Sequence, residues 1–198
     1  MKRLAAALVL APSIVAAQDF PALYGVSGVA TDDVLNIRAE PNAQAEIIGE
    51  FAADRQDVEV VASGPDGSWG QVNAGEQSGW ASLSFLERQP DQTAGEPIAR
   101  LSCSGTEPFW SFSIDGDEAT FGAPDQDDET VALAEPVKAS GRTDRWSVIG
   151  VYGGTTAILA RASCSDGMSS RAYGLTIDLL RSDPGAPTYL TGCCSVSP

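Results

Sequence analysis

Apolar residues in this chain recur with a period of two, in short runs broken by Gly, Pro, Asn and Asp. No window beyond the first seventeen residues carries a helical stripe. That pattern belongs to strands, whose successive side chains leave opposite faces of a sheet. Between Leu35 and Leu86 the beats are L-N-I-R-A-E-P, I-I-G-E-F, V-E-V-V, W-G-Q-V and S-G-W-A-S-L-S-F-L. Leu35 and Ile37 point one way while Asn36 and Arg38 point the other, and Val58 and Val60 flank Glu59 in the same manner. Gly64-Pro65-Asp66-Gly67 marks a turn between strands at Val58–Ala62 and Trp69–Asn73, and Ala74-Gly75-Glu76 marks a tighter one before Gly79-Trp80. Strands this short close best as a small barrel.

Gln89 to Pro97 has no apolar anchor and two prolines, and reads as an extended linker. Beyond it, β-rich runs fall at 100–103, 109–114, 119–121, 130–134, 146–151, 156–162, 172–180 and 189–193. Asp115-Gly116, following Phe112 and Ile114, is a two-residue hairpin signal. The expected fold is all-β: a small barrel at 24–88, a linker at 89–98, and a second antiparallel, barrel-like domain of about eight strands at 99–198.

Lys2 and Arg3, the apolar stretch Leu4 to Val15 and the small residues Val15-Ala16-Ala17 form a signal peptide over 1–17, with 18–23 a short N-terminal extension. The apolar stretch falls short of the roughly 20 residues a bilayer span needs. The first cysteine is Cys103, so none sits at the cleavage point to take a lipid. The expectation is a periplasmic or secreted protein with no stable membrane anchor after cleavage. Loss of Lys2 and Arg3 takes the formal charge from −15 to −17, a balance that repels nucleic acid and favours basic partners. Histidine is absent, which removes Ser-His-Asp, Cys-His and His-metal constellations together. The four cysteines, Cys103, Cys164, Cys193 and Cys194, suit two disulfides in an exported chain. A Cys193–Cys194 ring is disfavoured by trans backbone geometry, and on a strand these two side chains face opposite sides.

Leu35-Asn36-Ile37-Arg38 with Pro41, the I-I-G-E-F run at 47–51, Trp69 with Val72, and Gly79-Trp80 before Phe85-Leu86 resemble the bacterial SH3-like (SH3b) family. The resemblance implies an SH3-like barrel and binding of cell-wall peptides or glycans, or targeting of an attached domain. Phe85 stands where the family often has Tyr. Asn36 and Arg38, on the outward face of their strand, are the polar ligand candidates. Trp69 and Trp80 can stack on a peptide or sugar, although a small core also needs large aromatics simply to bury area.

In the second half, G-T-E-P-F-W at 105–110, C-S-D-G-M-S at 164–169, Tyr173 and L-T-G-C at 190–193 resemble an uncharacterised domain of bacterial envelope proteins and lipoproteins. Ser170 replaces an Asp of that pattern. The resemblance implies pairing of Cys164 with Cys193, and hence of Cys103 with Cys194. Glu107, Trp110, Asp166, Arg171 and Tyr173 are candidates for a second pocket. Turn chemistry at Glu107-Pro108 and Asp166-Gly167 accounts for these motifs more simply. The acidic run from Asp115 to Glu129 lacks the spacing of an EF-hand loop, so no metal is expected, and no cofactor.

These readings converge on a non-enzymatic exported binding protein of the bacterial cell envelope, contacting a cell-wall peptide or glycan, with peptidoglycan or an envelope protein as partner. The alternative is an acidic inhibitor that captures a basic protein such as a lysozyme. Glu107 with Asp166 is the carboxylate pair nominated for a glycosidase reading, which is not the one adopted.

Overall fold

The computed structural model describes residues 19–182 and 186–198; the expected signal peptide lies outside them. The chain is all-β. Its first part contains β1 (Ala22–Val26), β2 (Val34–Arg38), β3 (Ile47–Ala52), β4 (Val58–Val60), β5 (Ala62–Ser63), β6 (Trp69–Ala74), β7 (Gln77–Ser82), a 3-10 turn at Leu83–Phe85 and β8 (Leu86–Arg88). They form two sheets, β4-β1-β8 and β3-β2-β7-β6-β5. The run expected as one strand from Val58 to Ala62 splits at Val61, and β4 and β5 join different sheets. This corner helps fold the two sheets round one core of Ala22, Tyr24, Leu35, Ile37, Val60 and Val72. Alternation is legible in β2, where Leu35 and Ile37 are buried between half-exposed neighbours.

The second part holds β9 (Arg100–Thr106), β10 (Phe109–Asp115), β11 (Glu118–Gly122), β12 (Glu129–Ala132), β13 (Val137–Lys138), β14 (Arg145–Ile149), β15 (Thr155–Cys164), β16 (Tyr173–Ser182) and β17 (Pro187–Val196). All pair antiparallel in one sheet in which β17 returns beside β9. The sheet closes on itself where Leu133 meets Gly150 in an isolated bridge, with the Ala134 N–H donating to the Ile149 carbonyl at 2.8 Å. The two-residue β13 escaped the periodicity, as did β1 in the first part, whose Ala22 and Leu23 fall within the expected 18–23 extension. Asp115 pairs with Glu118, so the turn itself is Gly116-Asp117, one residue beyond the Asp115-Gly116 signal, with Gly116 at φ +61°. Inward residues of β9, β10, β14, β15, β16 and β17 fill the barrel with Leu101, Phe112, Trp146, Leu159, Ile177 and Val196.

Cys103 bonds Cys194 directly across the β9–β17 ladder, in the core. Cys193, one residue earlier on β17, pairs with Thr176 and Ser104 on the outer face and bonds Cys164. Adjacent strand residues facing opposite sides thus serve two bridges.

The two parts share a seam. β1 is buried along its whole length because both of its faces are covered. Ala22, Tyr24 and Val26 enter the first core, while Leu23 packs into the core of the second barrel. Gly174 on β16 lies so close to Pro21 and the Val61 carbonyl that an added Cβ would come within 2.9 Å of each. The 89–98 segment is pinned rather than loose: Gln89 N–H donates to the Leu23 carbonyl at 3.0 Å and Arg88 Nε to the Gln92 carbonyl at 2.6 Å.

Candidate functional site

A cleft of roughly 390 Å³ lies on the first barrel between the loop that joins β1 to β2 and the outer face of the five-stranded sheet. Its floor comes from strand periodicity. Asn36 and Arg38 project from the outward side of β2, opposite the buried Leu35 and Ile37, and Trp69 on β6 pairs with Ser82 on β7. All four line the cleft, with Phe85 and Asp33 at its walls. Arg38 is held by a 2.7 Å bond from its guanidinium to the Ala45 carbonyl. The half-buried Trp69 ring and the 40 % exposed Phe85 supply apolar surface beside these polar groups. An indole that is partly desolvated and open on one face can stack on a planar peptide or a sugar. A fixed guanidinium beside it can donate hydrogen bonds to a carbonyl or carboxylate.

Trp80 does not line this cleft. It sits on the same outer face, paired with Gln71 and Arg38 and packed close to Gly64. Sequence reasoning passed over Ser82 and the 28–33 loop; the signal for Ser82 was the period-two step from Trp80.

The candidates in the second barrel fall in separate places. Glu107 stands exposed in the β9–β10 turn. Trp110 is 5 % exposed and belongs to the core, its ring stacked 6.5 Å from Phe121. The reason is steric: a Cβ at Gly105 on the paired strand β9 would collide with the Trp110 indole, and one at Gly192 on β17 would come within 2.9 Å of the same ring and collide with the Ser104 carbonyl. The G-T-E-P-F-W and L-T-G-C motifs therefore make room for one large ring. Its exposed edge, with Phe109, Phe121 and Arg181, borders an apolar mouth of roughly 350 Å³.

Asp166 turns the segment after β15. Its Oδ1 accepts N–H bonds from Met168 at 3.0 Å and Ser169 at 3.3 Å, and its Oδ2 accepts the Tyr173 hydroxyl at 2.9 Å. The Met168 N–H first, then the Tyr173 hydroxyl and Ser169 N–H, hold its carboxyl below the usual range. Burial, then the hydrogen bond to Asp166 and its charge, push the Tyr173 phenol up. The loop so shaped docks on the β6–β7 hairpin. Ser170 and Gln77 form a parallel bridge, Asn73 exchanges two side-chain bonds with the backbone of Ala172 at 3.0 and 2.9 Å, and Arg171 reaches the Gly75 carbonyl at 3.1 Å while covering the Tyr173 ring. Asp166 also edges a polar concavity of roughly 470 Å³ beside the Cys164–Cys193 bridge, with Thr176 and Asp178. Trp110, Asp166 and Tyr173 line three different concavities.

Residues 33–87 match the family model of the bacterial SH3 domain. The first-half resemblance is thereby supported; the second-half resemblance gains no support. No curated protein and no solved structure matches the chain. The match runs from Asp33 to Glu87, so the polar and aromatic groups of the cleft named above lie within the matched segment. No group of acidic or cysteine side chains suited to a metal occurs among the described residues, and none of their helices is long and apolar enough to cross a membrane.

Proposed function

We propose that this is a non-enzymatic protein of the bacterial cell envelope, exported from the cytoplasm, which holds a cell-wall peptide or glycan in the cleft of its bacterial SH3 domain. The observation that carries the proposal is the placement of Asn36, Arg38 and Trp69 in one cleft, within the segment that matches the family. Two disulfides and the basic-then-apolar N-terminus support an extracytoplasmic setting. The second barrel acts as a rigid support, because the loop from Asp166 to Tyr173 is engaged by the β6–β7 hairpin. Co-sedimentation with purified peptidoglycan is the test. Trp69→Ala and Arg38→Ala should each cut retention about tenfold, the effect of roughly 1.4 kcal/mol. Retention of both variants at the native level would sink the proposal.

A second reading, capture of a basic protein such as a lysozyme, draws on the outer wall of the second barrel. There Ile149, Leu180 and Tyr189 are exposed on neighbouring strands near the fully exposed Tyr152, in a chain of net charge −15. Undiminished lysozyme activity in the presence of excess protein would remove it.

A further inference from the structure

Cations are scarce in this chain, yet half of its 12 Lys and Arg residues collect along one side of the seam. Arg88, Arg100 and Arg161, with the carboxylates Asp91 and Glu96, line a cleft of roughly 160 Å³ formed by the 89–98 segment and both barrels. Lys138 joins through Glu96 at 2.6 Å, and Arg142 and Arg145 through Asp144 at 2.5 and 3.6 Å. Asp144 in turn accepts the Arg161 backbone N–H at its carbonyl. Four carboxylates, Asp19, Asp91, Glu96 and Asp144, face these six cations.

The cleft arginines are fixed mostly by neutral groups. Arg88 donates to the carbonyls of Gln92 and Asp19 at 2.6 and 3.0 Å, and Arg161 to that of Glu96 at 2.8 Å. Arg100 meets Asp91 only at 3.7 Å. Backbone carbonyls orient a guanidinium without cancelling its charge. Arg161 Nε is buried with no hydrogen-bond partner among the described residues, and its guanidinium lies 5.1 Å over the ring of the core residue Trp146. Buried donors without acceptors are rare in folded proteins. Burial is the main cause that lowers the Arg161 pKa, and the Arg88 charge adds to it, against the charges of Asp19 and Asp144.

We infer that this cleft is a binding site for a small oxyanion, a carboxylate or phosphate group, held by Arg88, Arg100 and Arg161 where the two barrels meet. An oxyanion supplies acceptors in the planar pairs that guanidinium groups prefer, and its charge relieves the repulsion between Arg88 and Arg161. A space of roughly 160 Å³ admits a phosphate or a carboxylate group. Since the walls come from both barrels and the segment between them, occupancy also tightens the seam.

Thermal unfolding and calorimetric titration of the full chain with sodium phosphate or sodium acetate, against sodium chloride at equal ionic strength, test this directly. The expected result is a saturable rise in midpoint with at least one oxyanion and none with chloride; the two arms separate a phosphate-bearing from a carboxylate-bearing ligand. Arg161→Gln should weaken binding at least fivefold. Should that variant fold poorly, Arg100→Ala, at a half-exposed side chain, should still weaken it, while Arg55→Ala, outside the cleft, should not. Equal responses to chloride and both oxyanions, or unchanged binding by Arg100→Ala, would overturn the inference.

Discussion

Replacement of Glu59 by Gln should make the protein more stable above neutral pH and leave it nearly unchanged in acid. Glu59 lies on β4 beside Leu23, on the face turned toward the second barrel, and its carboxylate accepts the Val196 N–H at 2.8 Å. Burial pushes its pKa from the ordinary 4.5 to about 7, against the Val196 N–H, the Ser195 hydroxyl and the Arg171 charge, which pull it down. A folded-state pKa above the unfolded one means that the group's stabilising contribution is complete below about 4.5. It is lost as the pH rises toward about 7, because ionisation must then occur in the buried seam. At about 1.36 kcal/mol per pKa unit the ceiling is about 3 kcal/mol. The residue keeps some solvent contact, so an effect of about 1 to 3 kcal/mol is expected. Gln retains the carbonyl acceptor for Val196 and removes the charge. Denaturant titrations of both proteins at pH 4, 6 and 8 should therefore give curves that diverge with rising pH, the variant being higher by a few degrees in a parallel thermal scan. Identical pH dependence, or a variant less stable at pH 8, would refute the assignment of a penalised carboxylate at the seam.

Leu23→Ala should cost about 2 to 4 kcal/mol in a denaturant melt, since it empties a fully packed position in the second core; a loss under about 1 kcal/mol would show the seam to be loosely packed. Gly105→Ala should destabilise by at least about 1 to 3 kcal/mol and perturb tryptophan fluorescence, because the new methyl group would strike Trp110; unaltered emission would contradict the packing described. On chain entropy alone, loss of Cys103–Cys194, with a separation of 91 residues, should cost about 4.6 kcal/mol, against about 3.6 for Cys164–Cys193 with 29, measured by paired Cys→Ser double variants. Tyr173→Phe should loosen the loop from Asp166 to Arg171, raising hydrogen exchange at Met168 and Ser169, whose N–H groups bond the same carboxylate; unchanged exchange would show that the hydroxyl does not brace Asp166.

Periodicity was a good guide wherever a strand buries one face. The alternation of Leu35 and Ile37 with Asn36 and Arg38 located both the core and the cleft floor. It failed at Val61, where the apolar run Val60-Val61-Ala62 passes from one sheet to another, at β1, which is buried on both faces and so shows no alternation, and at β13, which is too short to show a period. The motifs of the second half were conspicuous but ambiguous. A Trp flanked by turn residues reads equally as a binding platform or as core, and the decision rests on glycines of neighbouring strands, one of them 82 positions further along the chain.

By itself, the sequence determined the all-β class, most strand beats of both halves though not β1, part of which fell in the expected 18–23 extension, and the resemblance of 33–87 to the bacterial SH3 domain. Those are properties of local patterning, because burial of one strand face imposes a period that neighbouring residues must obey. Only the tertiary structure decided that the barrels share a seam, that Leu23 serves the second core, that the Asp166 loop is a clamp on the β6–β7 hairpin, and that Glu59 lies half-buried between the barrels. These contacts join residues such as Asn73 and Ala172, 99 apart, or Glu59 and Val196, 137 apart. A single hydrogen bond over such a distance demands no period, and so leaves no mark in the order of the residues.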